Sequence, residues 1–156
     1  MEYDPAWPDI FATERERIEP LLGGAEIHHV GSTAVPGLAA KPVVDMIALV
    51  GDLDAHIAPL TSSAGYQFPR AFNATLAHRR FLCYPSASVR THHLHLVDQP
   101  EELERRLSFR DRLRTDSALA EEYVTLKWAL AERHREDREA YTEAKAMFIR
   151  ASLAQP

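Results

Sequence analysis

The run Val43-Val44-Asp45-Met46-Ile47-Ala48-Leu49-Val50 is the most apolar stretch of the chain, and a single carboxylate stands inside it. Its β-branched content, between Pro42 and Gly51, predicts a strand covered on both faces. A two-residue period puts Asp45 on the same side as Val43, Ile47 and Leu49. A carboxylate there is costly unless it is paired, hydrogen-bonded or bound to a cation. A buried hydrogen-bond acceptor and a functional carboxylate fit that position equally well.

The residues before this strand add a second feature. Glu26-Ile27-His28-His29-Val30 reads as a short strand that stops at Gly31-Ser32-Thr33. A small, hydroxyl-rich turn lets backbone N–H groups approach an anion, and Ser32 or Thr33 adds a hydroxyl donor. Such turns are also everyday connections, so the spacing carries the weight: a strand, Gly31-Ser32, a turn-rich link, then Asp45 in an apolar strand. Lys41, in that link, is either a phosphate partner or an ordinary surface lysine.

A third feature lies downstream, in Arg90-Thr91-His92-His93-Leu94-His95. On a strand, His93 and His95 project to one face and His92, Leu94 and Leu96 to the other. Two imidazoles so placed can bind a divalent metal, donate to phosphate, or act as acid and base. His28 and His29 alternate across their strand, so only one can face a given site, and both read as structural. Arg79, Arg80 and Arg90 lie on or beside strands near the histidines and suit bidentate binding of a phosphate or carboxylate. Cys83, the only cysteine, sits between Leu82 and Tyr84 and reads as a buried, inert thiol.

Helices are expected over 8–22, 54–64, 100–114, 117–133 and 137–153. Further strands are expected at Tyr66-Gln67-Phe68, 79–84 and 91–97. Asp116 or Ser117 is the natural N-cap of the fourth helix. This order predicts an α/β (α+β) fold: a mixed sheet of about five strands flanked by helices, with a helical C-terminal extension. The 156 residues fit a single domain, with a core over about 8–98 and C-terminal helices over about 100–153. In that extension Leu103, Leu107, Leu113, Tyr123, Leu126, Trp128 and Leu130 are the expected packing residues, and the charges a solvated face.

Composition excludes several classes. With 46% hydrophobic and 26% charged residues the chain is an ordinary globular one, not a disordered one. One cysteine excludes an intramolecular disulfide framework and suits a reducing cytosol, so a cytoplasmic location is expected. No apolar run reaches the length of a membrane span. A net charge of −5 argues against bulk nucleic-acid binding, though not against a nucleotide-sized pocket. Residues 1–100 carry 11 acids and 7 bases, against 12 and 11 in the last 56, so Lys41, Asp45, Arg80 and Arg90 stand out within the strand-forming part.

The run from His29 to Asp45, HVGSTAVPGLAAKPVVD, resembles the signature of the GrpB family. Tyr3-Asp4-Pro5-Ala6-Trp7-Pro8, the histidine motif 90–95 and the closing stretch from Arg138 to Ile149 are similar to that family as well, so the resemblance spans essentially the whole chain. It implies a nucleotidyltransferase-like fold of the DNA polymerase β type. A related domain occurs fused to dephospho-coenzyme A kinases. In active members of that superfamily the Gly-Ser turn holds nucleotide phosphates while carboxylates on the following strands bind magnesium. Carried onto this sequence, the resemblance implies a nucleotide or other phosphate-bearing small molecule at Gly31, Ser32 and Thr33, with Lys41, Arg80, Arg90 and Lys145 around it. Asp45, His93 and His95 would be the catalytic and metal-holding groups.

The sequence departs from the pattern at two places. The second acid of the strand is replaced by Ile47, and the later strand carries His93 and His95 where an acid is expected. One carboxylate and two imidazoles suit zinc, manganese, iron or nickel better than magnesium. A divalent metal of another kind, a metal-free phosphate pocket with His as acid or base, and a non-catalytic binding or interaction module all stay open at this point.

Overall fold

A computed structural model describes residues 1–154, with the backbone alone at positions 138 and 139. The described chain forms two compact units, residues 1–107 and a second from Ser108 on. In the first, α1 (Trp7–Ile18) starts with Pro8 in its first turn, where the missing N–H is no loss. It runs into a 3₁₀ turn that ends at Gly23. Then come β1 (Ile27–Val30), a 3₁₀ turn over Ser32–Ala34, β2 (Val44–Leu49), the short helices α2 (Ile57–Ser62) and α3 (Arg70–Asn73), β3 (Arg79–Pro85) and β4 (Arg90–Val97). The helices α4 (Pro100–Thr115), α5 (Ser117–Arg133) and α6 (Arg138–Ala154) follow.

The sheet has four strands in the order β1-β2-β4-β3; the β2–β4 pair is parallel and the other two are antiparallel. One face carries Ile27, Val44, Met46, Ala48, Leu82, Leu94 and Leu96, which bury against Trp7, Ile18, Leu22, Leu60 and Tyr66. On this side Glu14 of α1 is buried yet satisfied. It accepts from the Tyr66 hydroxyl at 2.6 Å and from two Arg17 nitrogens at 2.9 and 2.7 Å. The other face carries an apolar patch of Val30, Ile47 and Val97, packed against Leu49, Leu103 and Leu107. The rest of that second face carries Asp45, His93 and His95 with Phe81 and Arg79, and it is where the candidate site lies.

The expected fifth strand, Tyr66-Gln67-Phe68, is not a strand. It shrinks to one bridge, in which Gln67 and Cys83 exchange backbone hydrogen bonds of 2.8 and 3.1 Å. Continuing this antiparallel ladder in either direction would pair position 69 with 81 and position 65 with 85. Proline at 69 and at 85 removes the N–H needed at each step. A side chain takes over instead: Asn73 accepts from Phe81 N–H at 2.7 Å and donates to the Phe81 carbonyl at 2.9 Å. Asn73 thereby completes the edge of β3 and anchors α3 there, a helix within a stretch expected to be a loop.

In the second unit, Asp116 caps α5 as expected, its carboxylate accepting from Leu119 N–H at 3.0 Å. Phe109 meets Tyr123 edge to face at 5.1 Å, and Tyr123 stacks on Phe148 at 5.9 Å. Trp128 is not a packing residue; it is 69% exposed. At 3.6 residues per turn it lies half a turn away from the buried stripe of Leu119, Tyr123 and Leu130.

Replacing Asn73 with alanine leaves the buried N–H and C=O of Phe81 unpaired. Asn73→Ala is expected to lower stability by about 2–4 kcal/mol, read from urea midpoints. A change of a few tenths would show that the amide does not complete the strand edge.

Candidate functional site

The register of the sheet brings the site together. In the parallel pair Asp45 stands directly beside His93, and Ile47 beside His95. Across the antiparallel pairs Val30 stands opposite Asp45, and Phe81 opposite His95. Asp45, His93 and His95 therefore share one face with Phe81 and Arg79, while Arg80 is turned to the other.

Asp45 Oδ1 accepts from His93 Nδ1 at 3.0 Å, and His95 Nε2 lies 3.7 Å from the same oxygen. The two imidazoles are nearly perpendicular, with centroids 6.5 Å apart. The Phe81 ring packs on both, at 5.0 Å from His93 and 5.4 Å from His95. Directly after Val30 the chain passes over the carboxylate as Gly31, at φ +75°; a Cβ on Gly31 would lie 2.6 Å from Asp45 Oδ2. Only bare backbone fits there, in a conformation that favours glycine.

Protonation follows from the partners. Burial works against the charged form of Asp45, but hydrogen bonds from His93 and His95 outweigh it, and the carboxyl stays well below its usual range. The ionised carboxylate only accepts, so a proton of His93 lies on Nδ1. Its Nε2 is buried and has no hydrogen-bond partner among the described residues. His95 differs: burial, then the Arg106 charge, push it down to about 3, against the opposing pull of Asp45 and with further help from Arg79. It is neutral at pH 7. Arg79 Nη1 stands 3.3 Å from His95 Nδ1, and a guanidinium only donates, which assigns the His95 proton to Nε2, facing Asp45.

The other residues singled out in the sequence are distributed as follows. Thr33 is buried, with its hydroxyl on His29 Nε2 at 2.8 Å, and His29 stacks on Phe11. Thr33 thus ties the turn down from inside instead of offering a hydroxyl outward. Ser32 opens the 3₁₀ turn after Gly31 and is half-buried. Lys41 is exposed, in the link that leads into the Asp45 end of β2. Arg80 is on the opposite face, paired with Asp54 at 2.8 Å and bonded to the Leu76 carbonyl. Arg90 lies over the Phe81 ring at 5.5 Å, with its Nε bonded to the Ala87 carbonyl. Lys145 belongs to α6 in the second unit and is half-buried. Arg79 takes the place at the histidines that the sequence reading gave to Arg80. The two-residue alternation separates these neighbours, but only the pairing of β3 with β4 shows which one faces the histidines.

The donor set does not fit the divalent ion that the resemblance implies. Asp45 Oδ1 is engaged by His93, and His95 Nδ1 faces a guanidinium. The place of the second carboxylate is Ile47, fully buried in the apolar patch. Among the described residues no group of three or more His, Cys, Asp or Glu side chains has metal-holding geometry. The surroundings favour an anion. Arg106 is bound to Glu102 at 3.1 Å, whereas neither Arg79 nor Arg90 forms a salt bridge among the described residues.

A family model described as GrpB protein matches residues 1–155. The chain belongs to the GrpB family. A UPF0157 protein of Pseudomonas aeruginosa is 45% identical over 150 residues, covering 91% of this chain and 60% of that protein. The UPF0157 protein YqkA of Bacillus subtilis is 34% identical over 155 residues, covering 96% of this chain and 44% of the relative. The chain thus spans about half the length of these two. A crystal structure of the conserved protein GrpB from Enterococcus faecalis superposes with a TM-score of 0.75 at 31% identity, covering 98% of both chains. The two chains therefore share one overall fold. Among the described residues no helix is long and apolar enough to cross a membrane.

The protonation pattern predicts a pH dependence. Between about pH 6.5 and 3 the unfolded chain protonates His95 while the folded chain does not, so stability falls as pH is lowered through that window. The slope for one such group approaches about 1.4 kcal/mol per pH unit. Asp45 acts in the same sense at lower pH: its depressed pKa contributes stability above the unfolded carboxyl range that is lost as pH falls below it. Urea midpoints taken from pH 7 to pH 4.5 should show a shallower slope in His95→Asn than in the unaltered protein; equal slopes would contradict the neutral His95.

Proposed function

We propose that this GrpB-family chain binds a nucleotide or other phosphate-bearing small molecule on the second sheet face and acts on its phosphoester without a resident metal. The observation that carries the reading is the Asp45–His93 pair. The Asp45 carboxylate accepts from His93 Nδ1, and the buried Nε2 of His93 is left without a partner among the described residues. A buried ring nitrogen left unpaired costs about 1–3 kcal/mol, which a hydrogen bond to a bound ligand would recover. In this role neutral His93 takes the proton of the attacking hydroxyl as its oxygen bonds to phosphorus, and Asp45 stabilises the imidazolium that forms. The P–O bond to the leaving oxygen breaks as the imidazolium returns the proton to it. Arg79 and Arg90 supply charge for the phosphate, and the Gly31-Ser32 turn runs beside the carboxylate.

Ile47 favours a second reading, a ligand-binding module without turnover, because an acid that superfamily chemistry uses is replaced by a buried apolar side chain. Calorimetry with nucleotides and simple phosphates, combined with phosphate-release and product assays, separates the two. Arg79→Met and Arg90→Met are each expected to weaken ligand affinity about tenfold. His93→Ala is expected to lower turnover by about 10²–10⁴. Chelation should change neither binding nor rate. Binding with no turnover across phosphoesters supports the module, and affinities indifferent to both arginines reject the site.

A further inference from the structure

Phe72 is 45% exposed, and its ring stands edge to face on Phe81, with centroids 5.5 Å apart at 89°. Single exposed apolar residues are common and by themselves mean nothing. Three observations set this one apart. The ring is held firmly, because the next residue, Asn73, is bonded into the backbone of β3 through both ends of its amide. It stands beside the site: Phe81, which it touches, packs on His93 at 5.0 Å and on His95 at 5.4 Å. Finally, the Arg79 guanidinium, 5.9 Å from the Phe72 centroid, also contacts His95 and forms no salt bridge among the described residues. An anchored, exposed ring that carries a guanidinium on one side matches a ligand with a planar ring at one end and a phosphate at the other.

We propose that Phe72 is the stacking platform for the heteroaromatic ring of a nucleoside phosphate whose phosphate lies on Arg79, beside the Asp45–His93 pair. This rests on the anion-binding reading above and adds the residue that selects for the ring. Phe72 and His93 both pack on Phe81, and the Arg79 guanidinium lies 5.9 Å from the Phe72 centroid, so the ring and phosphate sites adjoin. Stacking of this kind recognises a π-face, so purine and pyrimidine nucleotides should differ modestly, by stacking strength.

Calorimetry on the full chain tests it with three probes: adenosine 5′-monophosphate, cytidine 5′-monophosphate and ribose 5-phosphate. The unaltered protein should bind the two nucleotides more tightly than the sugar phosphate. Phe72→Ala should weaken both nucleotides by about 10–100-fold while leaving ribose 5-phosphate unchanged. Phe72→Trp should restore or strengthen nucleotide binding, and Phe72→Leu, apolar but without a π-face, should behave like the alanine variant. Each variant is compared at equal folded fraction by near-UV circular dichroism. If ribose 5-phosphate binds as tightly as the nucleotides, or Phe72→Ala changes all probes alike, the stacking role is overturned and the anion site stands. If the unaltered chain binds none of the three, both ideas fall.

Discussion

The Asp45 carboxylate, covered on one side by the bare backbone of Gly31 and held on the other by His93, is the contact on which the second sheet face depends. It begins as a problem of burial, since a charged group in an apolar strand must find partners or be expelled. The antiparallel pairing of β1 with β2 places Val30 opposite Asp45, so the chain leaves β1 directly across the carboxylate. The parallel pairing of β2 with β4 places His93 beside it. The first pairing demands glycine at position 31, and the second gives the carboxylate its donor. Each pairing also shapes the chemistry: one brings a close-fitting turn to the acid, the other orients an imidazole.

Around this centre the charges are arranged asymmetrically. The acid has two imidazole neighbours, one of them neutral because burial and two guanidinium groups oppose its protonation. Arg79 and Arg90 face the same aromatic pair, Phe72 and Phe81, and are left without salt bridges among the described residues, whereas Arg17, Arg80 and Arg106 each have a carboxylate. Such an arrangement suits an anion better than the dication that the resemblance implies. Position 47 expresses the same choice in packing. Ile47 lies in a continuous apolar patch with Val30 and Val97, where a second carboxylate would be unpaired.

Much of the framework was legible from local pattern. The apolar run at 43–50, the alternation through 90–97 and the long charged helices after residue 100 each became the expected element, because periodicity of two or 3.6 is a property of the backbone itself. The fifth strand was misread for a local reason with a tertiary remedy. Gln67 pairs, but proline at 69 and 85 ends the ladder on either side, and the Asn73 amide replaces it. Trp128 shows the opposite failure: an apolar residue on a helix counts as core only if it lies on the buried stripe, and this one does not.

The sequence by itself determined that His93 and His95 share a face, that Asp45 needs a partner, and that a glycine turn precedes its strand. Those follow from residue chemistry and the alternation of side chains along one strand. Only the tertiary structure decided that Asp45 meets His93, that Arg79 and not Arg80 reaches the histidines, that Thr33 turns inward to His29, and that Phe72 stands exposed at the rim. The first two depend on how one strand is set against another, the last two on the folding of the turn after β1 and of α3. Register is fixed by long-range pairing and by the geometry of turns, and a shift of one residue would turn a strand's side chains to the opposite face.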